Sequence, residues 1–244
     1  MHSPGVEPLL QLPREIARLV IEFVLNPGAG ADPGRVRLPA PLEPGSDSVR
    51  ACSIERGLLG PAIGGREAED CLRQFQWQSP LHRLAVLPRE VLESLAWHLG
   101  LATLRDRLRR VVTRDALRAL HAEGVSAEHL SFVYQLPDVT DPSRGLASPT
   151  ERLPAALPAD PLNGTHPIAQ AGWGVLGSLH ALLPEAIALR FRLKCPPQLE
   201  QASAVAPGLM PQDPLFDWVR VRVVSAWRTD FDSSLAALAT RPVR

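Results

Sequence analysis

Lysine is all but missing from this chain: Lys194 is the sole example among 244 residues, and every other base is arginine. The guanidinium fork suits phosphates and carboxylates, so such a bias invites a binding interpretation. A GC-rich coding sequence explains it equally well, together with the 25 prolines, so the bias by itself assigns no partner. Net charge is missing too. Lys plus Arg total 26, as do Asp plus Glu, which removes any overall field for nucleic acid or an anionic membrane. Three cysteines, Cys52, Cys71 and Cys195, are too few and too scattered for a disulfide framework or a CxxC metal pair. Their usage suits a reducing compartment. Long apolar runs are absent: Ile16–Leu25 is charged and far too short to span a bilayer, and no basic start precedes it as in a secretory signal. A cytoplasmic location is expected.

What the chain does have is a 45% hydrophobic fraction, enough for a real core at this length. Residues 1–18 read as a flexible leader and 19–244 as a single domain. Arg18 to Leu25 is rich in β-branched side chains and ends at Asn26-Pro27-Gly28, which favours a strand over a helix. Pro-rich loops are expected at 28–53, 137–167 and 196–214, because each proline fixes φ and removes a donor.

Helical spacing starts near Arg66, with Ala68, Cys71, Leu72 and Phe75 on one stripe. Ser79-Pro80 and Pro88-Arg89-Glu90 open two further helices, the second carrying Val91, Leu92, Leu95 and Leu99. Gly100 is placed to close or interrupt that segment, after which Leu101, Leu104, Leu108 and Val111 continue the apolar pattern. Thr113 caps a short helix that Gly124 ends, and Ser126 starts another. Ile168 to Leu183 returns to helix. Its Gly172, Gly174 and Gly177 cost about 1 kcal/mol each against Ala, which a close packing contact would explain. Ile187 to Leu193 alternates apolar with basic residues, the pattern of a half-buried strand. The segment 216–227 fits strand and helix alike, and its length tips it to helix. The expected fold is mainly α (α+β): a helical body with a small sheet or hairpin-like pair, made by the N-terminal strand 19–25 and a strand near 188–193.

Catalytic constellations are hard to find. His121 and His129 lie eight apart across the Gly124 break, with no acid or thiol in ligand spacing. Glu67, Glu69 and Asp70, like Glu90 and Glu93, sit where first-turn acids favour a helix dipole. Gly177-Ser178 lacks the strand-and-elbow context of a serine nucleophile, and the 60–65 glycines lack the lysine of a phosphate cradle. No metal, cofactor or catalytic residue is assigned. The remaining candidate is cationic: Arg105, Arg107, Arg109, Arg110, Arg114 and Arg118 crowd one stretch between Leu95 and Leu120. A solvated face is the plain interpretation, an acidic protein partner the functional one. Nucleic acid is disfavoured by the neutral total charge and by a single tyrosine.

Phe23-Val24-Leu25-Asn26-Pro27, then Ala31-Asp32-Pro33 and Arg37-Leu38-Pro39, resemble the opening of the SctK family (also YscK or PscK) of type III secretion accessory proteins. Leu99-Gly100-Leu101 followed by Arg109-Arg110 and Asp115-Ala116-Leu117 is similar to the family's central helices. Gly172 to Leu183, running into Leu189-Arg190-Phe191-Arg192-Leu193, resembles its C-terminal region. The chain departs from that pattern by its leader and by the Pro-rich insertion at 137–167.

The resemblance implies a non-enzymatic adaptor of the sorting platform, at the cytoplasmic face of the inner membrane and held there through protein contacts. Its implied partners are the cytoplasmic domain of an SctD-like ring protein and an SctQ-like pod protein, and indirectly SctL and the export ATPase. Arg105, Arg109, Arg110 and Arg114 are then the expected protein-binding residues. Two other classes stay open at this point: a helical regulatory or nucleic-acid-associated module, and an enzyme of unrecognised type.

Overall fold

A computed structural model describes residues 13–25, 31–32, 71, 74–75, 79–137, 166–197 and 209–227. Among these the chain is helical, with no strand, and that overturns the expected sheet. Helix α1 covers Arg14–Leu25, within the segment read first as leader and then as strand. The β-branched run Val20-Ile21 misled; the burial pattern is that of a helix. Ile16, Val20, Phe23 and Val24 are buried along one stripe, while Arg18 and Glu22 face outward and pair at 2.7 Å, four residues apart.

The second expected strand is also a helix, α8 below, and the physical reason is instructive. Alternation implied that Arg190 and its basic neighbours point to water. Instead Arg190 and Lys194 are buried along with Ala186, Ile187, Ala188, Phe191 and Leu193. Arg190 Nη1 donates to the Ala186 carbonyl at 3.0 Å, one turn back. A helix that buries cations on carbonyl oxygens carries no visible amphipathic signature.

The remaining elements follow their local signals. Helix α2 is Pro80–Val86, with proline where the missing N–H costs nothing. Helix α3, Arg89–Thr103, runs straight through Gly100. A four-residue α4, Arg105–Leu108, follows after a single break at Leu104. Helix α5 is Arg114–Ala122, capped by Thr113 Oγ1, which accepts from the Ala116 N–H. Gly124 then takes φ 86°, the left-handed value that favours glycine after a helix. Helix α6 is Ala127–Gln135. Helix α7, Pro167–Ser178, passes into a 3₁₀ turn at Leu179–Ala181, and α8 is Glu185–Lys194. Helix α9 is Pro214–Trp227, so length decided that segment correctly. The expected helix from Arg66 lies mostly outside the described residues, as do residues 1–12 and most of the three Pro-rich loops.

The body is organised on α3 and α7, which cross at two glycines. A Cβ on Gly100 would stand 1.8 Å from the Ile168 carbonyl oxygen, and one on Gly172 would stand 1.6 Å from that of Ala96. Gly174 and Gly177 face open space, so only one of the three α7 glycines serves the contact. Helix α9 lies along α3, and α8 packs on α2 and the 3₁₀ turn. The main core gathers Leu92, Leu95, Leu99, Trp173, Leu176, Phe191 and Phe216. A second, smaller core joins Leu101, Leu108, Leu120, Val125, Leu130, Val133 and Ile168 beneath α4, α5 and α6. Trp97 and Phe132 touch both cores. Among the described residues no helix is long and apolar enough to cross a membrane.

Candidate protein-binding surface

The arginine-rich stretch maps to α4, the turn after it and α5. Residues 105–118 hold six arginines against two aspartates. Their environments differ sharply. Arg105 is largely covered, its side chain 20% exposed, and its Nε lies 3.6 Å from Asp106. Arg109 is half-buried and its Nη2 donates to the Leu136 carbonyl at 2.6 Å. That carbonyl belongs to the residue capping α6, so Arg109 satisfies an oxygen the helix leaves without an internal partner and favours the negative end of its dipole. Arg107 is half-buried as well. Arg110 and Arg114 are exposed, and Arg118 is exposed with Nη1 3.5 Å from Asp115. Of the four residues expected to bind a partner, Arg110 and Arg114 face solvent, whereas Arg105 and Arg109 are engaged within the molecule. Between the two exposed ones stands Val112, 76% exposed.

The surface is held to the body by an aromatic and histidine joint. Trp97 on α3 stacks at a tilt on His166 (ring centroids 4.8 Å apart) and on His129 (5.6 Å). His98 packs edge-on against His129 and Phe132, and Phe132 meets Trp218 of α9 at 5.8 Å. Hydrogen bonding sets the ring states. His129 Nδ1 accepts from the Ser126 N–H at 3.1 Å and from the Trp97 indole N–H at 3.4 Å, so that nitrogen carries no proton. Ser126 Oγ in turn accepts from the His129 N–H at 3.2 Å, completing a capping box in which histidine takes the usual place of glutamate. His166 Nδ1 likewise accepts from the Ile168 N–H and caps α7. Burial holds all three imidazoles below the ordinary histidine range; the neighbouring His98 pushes His129 the same way, while a backbone bond from His98 to Ser94 partly opposes the effect there.

A second polar centre ties α1, α2, α3 and α8 together. Lys194 Nζ donates to the Ala85 and Leu87 carbonyls at 2.9 and 2.8 Å, at the end of α2, and sits 4.8 Å from the centroid of the Phe23 ring. Burial brings its pKa down to about 7, against weaker opposing attraction from Cys195, Glu90 and Glu22. Next to it, the Asp32 N–H donates to the Leu193 carbonyl at 2.7 Å, and the Asp32 carboxylate meets Arg89 at 3.0 Å. Arg89 also pairs with Glu93 at 2.8 Å, which gives that acid a structural partner. Cys71, buried near Arg190, has its thiol pushed up to about 11 by burial, the guanidinium opposing, so it is not poised as a nucleophile.

Sequence reasoning missed the histidine joint and the Lys194 centre. His98, His129 and His166 are scattered along the chain, and no spacing rule joins them. The sole lysine was the one visible signal, since a base retained alone among 25 arginines suggests a place the guanidinium does not fit. Among the described residues no group of three His, Cys, Asp or Glu side chains is arranged to hold a metal ion. Comparison with family models, curated proteins and solved structures found no match to this chain.

Proposed function

We propose that this chain is an adaptor of the type III secretion sorting platform, acting by binding rather than catalysis. It would link the cytoplasmic domain of an SctD-like ring protein to an SctQ-like pod protein, and through the latter reach SctL and the export ATPase. Its place would be the cytoplasmic face of the inner membrane, reached through protein contacts. The observation carrying the reading is the order of the SctK-like motifs, which are short individually but follow one another over about residues 19–135 and 168–195 of the sequence; Asn26-Pro27, Pro33 and Arg37-Leu38-Pro39 lie outside the described residues. Packing adds support, because the motif-bearing segments touch one another. Gly100 of the Leu99-Gly100-Leu101 motif sits at the crossing with the Gly172 segment. Asp32 of Ala31-Asp32-Pro33 bonds the backbone of Leu193, which closes the C-terminal motif.

The test is direct capture. The purified chain, immobilised, is expected to retain the SctD-like cytoplasmic domain and the SctQ-like protein encoded in the same genome, each offered alone. Retention of neither overturns the proposal. Tight, steeply salt-dependent binding to nucleic acid without either protein would favour the regulatory module instead.

A further inference from the structure

Building on the adaptor reading, we infer that the turn from Arg110 to Arg114 is the docking element, and that it takes an acidic segment of a partner protein carrying one apolar side chain for Val112. The charge ledger of the stretch points there. Its two aspartates are already beside arginines, Asp106 at Arg105 and Asp115 at Arg118. Arg109 is committed to the Leu136 carbonyl. The exposed Arg110 and Arg114 therefore carry positive charge that nothing in the 105–118 stretch neutralises, on a protein whose net charge is zero.

The turn is also framed by buried neighbours. Leu108 on one side and Leu120 on the other are buried in the smaller core, and Thr113 caps α5 from an extended conformation, φ −82° and ψ 144°. Val112 is the most exposed large apolar side chain among the described residues, and in sequence it lies midway between the two exposed arginines. A single exposed valine is ordinary on any surface. Flanked by two arginines on that turn, it matches a short acidic sequence with a central apolar residue: the guanidinium groups clamp carboxylates, and the valine is covered from water. Arg109, tied to the Leu136 carbonyl, becomes a positioning residue that holds the turn rather than touching the partner.

The test compares the wild-type chain with Arg110→Glu/Arg114→Glu, Val112→Asp and, as a control far from the turn, Arg18→Glu. The probes are the SctD-like cytoplasmic domain and the SctQ-like protein. The first two variants are expected to lose affinity at least about tenfold for one probe and keep the other, with unfolding midpoints unchanged. Raising salt to about 0.5 M is expected to erase most of the difference made by the double variant. A photo-cross-linking residue placed at 112 is expected to mark an acidic segment of the same probe, and it decides the matter if a variant's midpoint falls. Wild-type affinity in both variants, or no cross-link at 112, overturns the inference and leaves the adaptor reading standing. Capture of neither probe by the wild-type chain removes both. Variants that abolish self-association or DNA binding while keeping both probes overturn it in favour of a second copy or a nucleic acid.

Discussion

Replacing Gly172 by alanine isolates the contact on which the fold is organised. On propensity alone the change stabilises a helix by about 1 kcal/mol. At this position the new methyl would stand 1.6 Å from the Ala96 carbonyl oxygen and 2.8 Å from the Gly100 nitrogen, whereas ordinary contact begins near 3.4 Å. Both obstacles are backbone, so no side chain can swing aside; α3 and α7 must separate by about 2 Å at their crossing. Overpacking typically costs 1–3 kcal/mol, and a backbone-on-backbone clash belongs at or above the top of that range. The net expectation is a loss of roughly 2 kcal/mol or more. Gly174→Ala and Gly177→Ala are the internal controls. Their methyls meet nothing within 4 Å, so each should gain about 0.5–1 kcal/mol. Urea unfolding followed by tryptophan fluorescence reports all three, since Trp173 is buried beside Gly172. Equal effects of alanine at 172 and 174 would refute the close crossing.

Protonation is expected to release the α4–α6 unit before the body. His98, His129 and His166 titrate below their unfolded value of 6.5, so the unfolded chain binds protons first and stability falls as pH drops through that value. A proton on His129 Nδ1 removes the acceptor for both Ser126 and Trp97. Protection factors, which correct for the slower intrinsic exchange at acid pH, should therefore fall from about pH 7 to about pH 5 more in residues 127–135 than in 186–193, and an equal change in both would contradict the joint. Lys194 predicts the opposite end of the scale. Its folded pKa of about 7 lies below the unfolded 10.5, so the unfolded state holds the extra proton between those values and stability rises with pH across them. Lys194→Met should flatten that rise; an unchanged slope would count against the buried amine. Because it is the only lysine and is 5% exposed, the native chain should resist amine acylation at that side chain until unfolded, as peptide mass mapping would read.

Most helix boundaries were legible because they rest on local chemistry: proline at the start of α2, threonine and serine caps on α5 and α6, and the glycine after α5. The two strand assignments failed for different reasons. In α1 the run Leu19-Val20-Ile21 carried β propensity, but burial of Ile16, Val20, Phe23 and Val24 on one stripe outweighed it. In α8 the alternation over 187–193 depended on Arg190 and Arg192 both pointing outward. Arg192 does, but Arg190 turns inward to the Ala186 carbonyl, and just beyond the run Lys194 reaches carbonyls more than a hundred residues away in sequence. No periodicity can encode that partner. The arginine cluster was visible as composition, but the sorting of its members was not. Whether a guanidinium reaches water or the end of α6 depends on where α6 packs, and the Arg109–Leu136 bond spans 27 residues. The glycines lie between these cases: a close contact was foreseeable from their cost, and only packing singles out Gly172 from Gly174 and Gly177.

Bridging is the property that separates an adaptor from a protein that merely binds. The decisive measurement is the mass of the species formed when the SctD-like cytoplasmic domain and the SctQ-like protein are mixed with and without this chain. The adaptor reading predicts one complex containing all three, and none containing the first two when the chain is left out. Mutually exclusive binding, or association of the two partners with each other unaided, would contradict it.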